Sequence, residues 1–344
     1  MRTVAVSGIN AVDNPGPGTG VARCLKECDL DVRLIGLAYD TLEPGIYMDW
    51  LFDKSYILPY PSSNSSAILE RLSYIHEREK IDVIIPVLDV ELPLYMRIEK
   101  ELESMGIKIM LPSAKAFRMR SKDNLFRLAD KSGFRVPRTE VITELSSVID
   151  VCRKVGFPCF VKGPFYEAVK ISSPGEAMKA VHGLSARWGL PVMIQENIPG
   201  DEYNCAGLAD GRRALGLVAV KKVATTSLGK AWTIVSVNNR KIFDAAERMI
   251  QMLGWRGAFE LELILDRDTN EFYCIEINPR FPAWIFMSSA CGVNLPERMV
   301  KNLLGMEHET HSRYDAGKLM IRYTSELIRD IQDIENISIK AETW

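Results

Sequence analysis

The run Ile275-Glu276-Ile277-Asn278-Pro279-Arg280 sets two oxygen donors two residues apart and an arginine two further on. Upstream lie a second acidic stretch, Phe259-Glu260-Leu261-Glu262-Leu263-Ile264-Leu265, and a polar turn, Asp266-Arg267-Asp268-Thr269-Asn270. Strand side chains alternate between faces. Phe259, Leu261 and Leu263 therefore point one way, and Glu260 and Glu262 the other. On the second strand Glu276 and Asn278 share a face, with Ile275 and Ile277 opposite. Paired as a hairpin, the strands bury one apolar face and gather oxygen ligands on the other. Carboxylates brought together repel unless a cation neutralises them. Oxygen donors without His or Cys suit Mg²⁺ or Mn²⁺ rather than zinc. Arg280 adds a fixed fork of donors suited to phosphate. The pattern reads as a metal–nucleotide site.

The elements that must position this hairpin fall into three stretches. Through about residue 112 short apolar runs (3–6, 32–36, 83–86, 107–111) alternate with helical patterns (21–28, 65–80, 92–105), which predicts an α/β fold with a parallel sheet covered on both faces. Ligands of such sheets bind at the carboxyl ends of strands. Asp89 and Glu91 follow Ile84-Ile85-Pro86 at one such end. They read either as helix-start acids or as crevice residues that bind a substrate amine. A turn with Gly16, Gly18 and Gly20 lies at another end, but its spacing is not that of a dinucleotide fingerprint. After Leu111-Pro112-Ser113, Ser121-Lys122-Asp123-Asn124 opens an amphipathic helix. A strand over 159–162 finishes on Lys162, a helix spans 175–188 and a strand 193–196. From about 198 follow long strands, the acidic hairpin and a helix over 295–304.

Bulk properties narrow the classes. The 344 residues allow two or three lobes, and a net charge of −2 without a basic run argues against nucleic acid. No stretch reaches the roughly 18 apolar residues of a membrane span. The N-terminus enters a buried strand too directly for a signal peptide. Seven scattered cysteines fit a reducing compartment. The expectation is a soluble cytoplasmic protein.

These residues together resemble the ATP-grasp superfamily, in its carbamoyl-phosphate-synthase-like, carboxylate–amine ligase branch. The resemblance covers essentially the whole chain. It implies a Rossmann-like domain (1–112), a small α+β lid with its linker helix (113–196) and a larger α+β lobe with the metal and phosphate site (197–344). It also implies that Glu262, Glu276 and Asn278 hold the magnesium of ATP, with Arg280 and Asn278 beside the transferred phosphoryl group. Lys122 and Lys162 match the two lid-side cations on the phosphates. Gln195, Glu196, Asn197 and Ile198 match the segment that holds the base, and Glu202 the acceptor for the ribose hydroxyls. The loop Thr225-Thr226-Ser227-Leu228-Gly229-Lys230 resembles one lying near the phosphates. Lys221, Lys222 and Lys230 are its alternatives for reaching the γ-phosphate, with Lys230 carried as the catalytic candidate.

Two stretches depart from the family pattern. Gly163-Pro164-Phe165-Tyr166 shortens the loop that normally folds over the phosphates. After Arg280 stand Phe281-Pro282-Ala283-Trp284-Ile285-Phe286, where Trp284 either selects an apolar or planar acceptor or fills the core. The implied reaction is activation of a carboxylate as an acylphosphate and its capture by an amine, with ADP and phosphate released. The expected partners are small-molecule or peptide acids and amines, without nucleic acid or membrane, and a homodimer is the default assembly. A non-catalytic ATP-binding module of a peptide-modifying assembly and an NAD-dependent enzyme are the rival readings.

Overall fold

A computed structural model describes every residue except 13, 122–123, 126–133, 164–167, 308–313 and 344. Lys122, the helix expected after Ser121 and the shortened loop at Pro164, Phe165 and Tyr166 thus lie outside the described residues. The chain is a mixed α/β protein. Its first sheet is parallel, in the order Lys54–Ile57, Val32–Ala38, Arg2–Val6, Val83–Ile85. Val4, Val6 and Leu34 enter one core while Ala5, Ile35 and Leu37 enter another, so both faces are buried, as the continuous apolar runs require. The stretch expected as a strand over 107–111 makes one parallel bridge, Val83 to Lys108. Beyond it the Ile109 carbonyl accepts the Arg256 guanidinium at 3.0 Å instead of continuing a ladder.

The glycine-rich stretch is not a turn but the start of the helix Pro17–Lys26, with Gly16 as N-cap and Pro17 in the first turn. A Cβ on Gly18 would stand 2.0 Å from the Ser7 carbonyl oxygen, and one on Gly16 2.3 Å from that of Gly8. The space these glycines clear is filled by the chain's own backbone.

The second sheet is small and antiparallel, ordered Thr139–Ile142, Val192–Glu196, Cys159–Lys162, Ala168–Ile171. The helices Val148–Val155 and Pro174–Trp188 cover it, with a core of their own around Ile142, Cys152, Val161 and Ile194. Ser173 caps the second helix through the Glu176 amide, and Glu176 accepts from Ser172 in return.

The third sheet is antiparallel: Phe272–Asn278, Arg256–Asp266, Gly200–Asp210, Ala214–Thr225, Ala231–Val237, Leu319–Ile321. Cys205, Phe259, Leu261, Leu263 and Ile277 pack beneath the helix Arg240–Leu253. On the opposite face Ala206, Leu208, Val218, Val220 and Ala258 share one core with the first sheet. That second face, by alternation, carries Glu202, Asn204, Lys222, Glu260 and Glu262. The chain's end returns to the first sheet. Ile57 donates to Ala341, and Thr343 to Ser55, which covers the edge strand Lys54–Ile57. Among the described residues no helix is long and apolar enough to cross a membrane.

Candidate metal and phosphate site

The hairpin forms as its alternation predicts. Glu260 stands opposite Asn278 and Glu262 opposite Glu276. A register shift between Glu262 and Leu263 leaves Ile275 as an extra residue, only half-buried rather than in the core. The bulge lies directly beside the carboxylate pair, where it re-aims side chains.

Glu260, to which the sequence assigned only a face, is the hub. It is 4 % exposed. One oxygen accepts Asn204 Nδ2 at 2.6 Å and Trp284 Nε1 at 2.7 Å. The other accepts Asn278 Nδ2 at 3.1 Å and Arg280 at 3.0 Å. Asn278 Nδ2 also lies 3.1 Å from Glu262. Trp284 is therefore no residue of the site's mouth. It is buried at 2 % exposure and holds Glu260 from below. Its indole N–H, which needs an acceptor when buried, was the available signal. Phe286 is half-buried, with the Arg23 guanidinium 3.7 Å above its ring.

Arg280 lies between two carboxylates, Glu260 and Asp89, the latter 3.3 Å from its Nε. Burial alone would ease the proton off this guanidinium, but Asp89 and Glu260 push it above its ordinary value. It is a fixed cation. Asp89 also faces Arg120 at 3.9 Å. Glu91, expected beside it in the crevice, is turned inward instead. It is fully buried and accepts from Ser7, Tyr39 and the amides of Val87 and Leu88. This carboxylate locks the loop after Val83–Ile85 to the loop after Arg2–Val6, so it is a structural acid, not a substrate contact.

Glu43 caps the same network through the Tyr39 amide. Burial pushes its carboxyl up to about 7, although the Tyr39 amide acts the other way. A folded value above the unfolded one means that stability falls as pH rises from the ordinary carboxylate range through about 7, and is level beyond. Glu43→Gln should flatten that slope and gain up to about 3 kcal/mol at pH 8 relative to pH 4. Urea titrations at the two pH values read this directly; parallel profiles for variant and wild type would refute it.

The lysines of the strand Ala214–Thr225 part ways. Lys221 pairs with Asp201 at 2.7 Å. Lys222, on the site's face, donates to Glu202 at 2.7 Å and lies 3.9 Å from Glu262. Lys230 is exposed, in the turn closed by its carbonyl and the Thr226 amide. Lys162 ends its strand at 9 % exposure, opposite Met193. Gln195 is buried and donates to Thr139 at 3.0 Å. Glu196 accepts from the Arg138 amide, and half-buried Asn197 and buried Ile198 continue the link between the small and large sheets. The structure thus brings Glu202, Glu262, Glu276, Asn278, Arg280 and Asp89 onto one linked surface.

Among the described residues no group of three or more His, Cys, Asp or Glu side chains is arranged to hold a metal ion. The donors are instead two facing carboxylates, Glu262 and Glu276, and the Asn278 amide oxygen. That set fits Mg²⁺, which binds through one or two carboxylates and takes its other ligands from phosphate and water.

Residues 190–326 match a family model described as ATP-grasp in the biosynthetic pathway with Ter operon. The carbamoyl phosphate synthase large chain of Rubrobacter xylanophilus is 23% identical over 284 residues, 76% of this chain and 26% of that one. The chain therefore spans about a quarter of the length of this relative. The biotin carboxylase domain dimer of 2-oxoglutarate carboxylase from Hydrogenobacter thermophilus, solved with MgADP, ADP and bicarbonate, superposes with a TM-score of 0.69 at 14% identity. It covers 92% of this chain and 73% of that one. The L-amino acid ligase of Bacillus licheniformis gives 0.61 at 14% identity, covering 88% and 74%.

Proposed function

We propose that the chain, whose residues 190–326 match an ATP-grasp family model, is a member of that superfamily and an ATP- and Mg²⁺-dependent ligase that joins a carboxylate to an amine. The observation that carries the reading is the single sheet face on which Glu202, Glu262, Glu276, Asn278 and Arg280 meet. Glu202 would accept the ribose hydroxyls, with Gln195, Glu196, Asn197 and Ile198 along the base and Lys162 and Lys122 on the phosphates. Glu262, Glu276 and Asn278 would hold the magnesium, which neutralises phosphate charge when bound. Arg280, fixed by Glu260 on one side, would face the transferred phosphoryl group.

The substrate carboxylate attacks the γ-phosphorus, the bond to the β-phosphate oxygen breaks and ADP leaves. The amine nitrogen then attacks the acyl carbon, phosphate leaves, and the amine proton passes to solvent. Positioning and charge stabilisation carry such a transfer, so no side-chain nucleophile is needed. Asp89, a carboxylate beside Arg280, would hold a substrate ammonium group.

The test uses MgATP with panels of ¹⁸O-labelled carboxylic acids and amines. Phosphate that carries ¹⁸O, released only when acid and amine are both present, is the expected signature of an acylphosphate. MgATP binding without phosphate release across the panel would instead establish the non-catalytic module.

A further inference from the structure

We propose that Lys222 is a resident counter-ion of the nucleotide site, which holds Glu202 and Glu262 before nucleotide binds and is exchanged for the divalent cation when it does. This rests on the metal–nucleotide reading above. The Lys222 side chain is 7 % exposed. A lysine so deeply placed is almost never left without carboxylate partners, and this one has two, Glu202 on the adjacent strand at 2.7 Å and Glu262 on the strand beyond it at 3.9 Å. Lys221, one residue earlier and on the other strand face, pairs with Asp201 at 37 % exposure and stays clear of the site.

The two partners of Lys222 are also the two groups that nucleotide binding claims. Glu202 is wanted by the ribose hydroxyls and Glu262 by the metal. One ammonium cannot keep both carboxylates while a dication takes Glu262, because like charges at such separations repel. The released ammonium lies between the nucleoside end and the metal end of the site, where it meets phosphate oxygens. Its contact with the Gly229 carbonyl at 3.3 Å links the exchange to the turn at Thr226–Lys230. Lys222 thus opposes metal binding in the empty site and favours the metal only together with nucleotide.

The experiment compares wild type, Lys222→Met and Lys222→Arg, titrated with Mn²⁺ alone and with MgATP. Free Mn²⁺ is followed by electron paramagnetic resonance. Loss of one charged contact is worth about tenfold. Lys222→Met should bind Mn²⁺ alone about tenfold tighter than wild type and MgATP about tenfold more weakly. Lys222→Arg, which keeps the charge, should bind Mn²⁺ as wild type does, and Lys222→Gln, which loses the charge but can still hydrogen-bond Glu202, should repeat the methionine result and reports the effect if the methionine variant fails to fold. Equal Mn²⁺ affinity in wild type and folded Lys222→Met would overturn the inference and leave Lys222 a plain strut. Tighter Mn²⁺ binding in the variant with no MgATP binding by any form would uphold the counter-ion and remove the nucleotide reading instead.

Discussion

Glu260→Ala is expected to cost about 3–5 kcal/mol of folding stability, the range for removing one partner of a buried ion pair. Arg280 would keep its charge at 19 % side-chain exposure with only Asp89 to balance it. Trp284 Nε1 and Asn204 Nδ2, both on residues 2 % exposed, would lose their acceptor. Even the isosteric Glu260→Gln is costly here. All four partners of Glu260 are donors, and a glutamine can offer its oxygen to only one pair while its NH₂ confronts the other. Two buried donors without acceptors predict a loss of about 2–4 kcal/mol. Urea denaturation of both variants decides it. Values within about 0.5 kcal/mol of wild type, ordinary for a surface change, would show that Glu260 is not the hub of the site.

Glu276→Ala is expected to do the opposite: little to the fold and nearly everything to the nucleotide. Glu276 is half-buried, at the edge strand of the sheet and opposite Glu262, so its loss should cost no more than about 1 kcal/mol. It would supply one of three protein oxygens to the metal. Replacing residues that merely orient such ligands costs 10–100-fold in affinity, so removing a ligand should weaken MgATP binding by about 100-fold or more. Asn278→Ala is a poorer probe, since Asn278 is 5 % exposed and bonds both Glu260 and Glu262. It would lose stability and metal together. Calorimetric titration of folded Glu276→Ala with MgATP at wild-type affinity would sink the metal assignment.

The hairpin was legible because alternation along two acidic strands is a local signal, and a two-residue period fixes which side chains share a face. What alternation cannot tell is which acid is buried. Glu260 and Glu262 sit on one face, yet Glu260 is driven under by donors 56 and 24 residues away, and nothing near it in the chain announces them. The bulge at Ile275 escaped for a similar reason, since an extra residue in a strand has no signature among apolar neighbours. Asp89 and Glu91 show the limit in loops. They are two residues apart after the same strand, but backbone amides and Ser7 draw one inward while Arg280 draws the other out. The return of Ala341 and Thr343 to the first sheet is a pairing across nearly the whole chain, and no window of sequence contains both sides of it.

The most direct test of the central claim, that this sheet face binds a metal–nucleotide complex, is the thermal unfolding of the wild-type protein in parallel with MgATP, with ATP plus chelator and with NADH. At about 100 times its dissociation constant a ligand of the native state adds roughly 2.7 kcal/mol. The account predicts a clear upward shift with MgATP that chelator removes and NADH does not reproduce. Unfolding of the native protein at the same temperature with and without MgATP would contradict it.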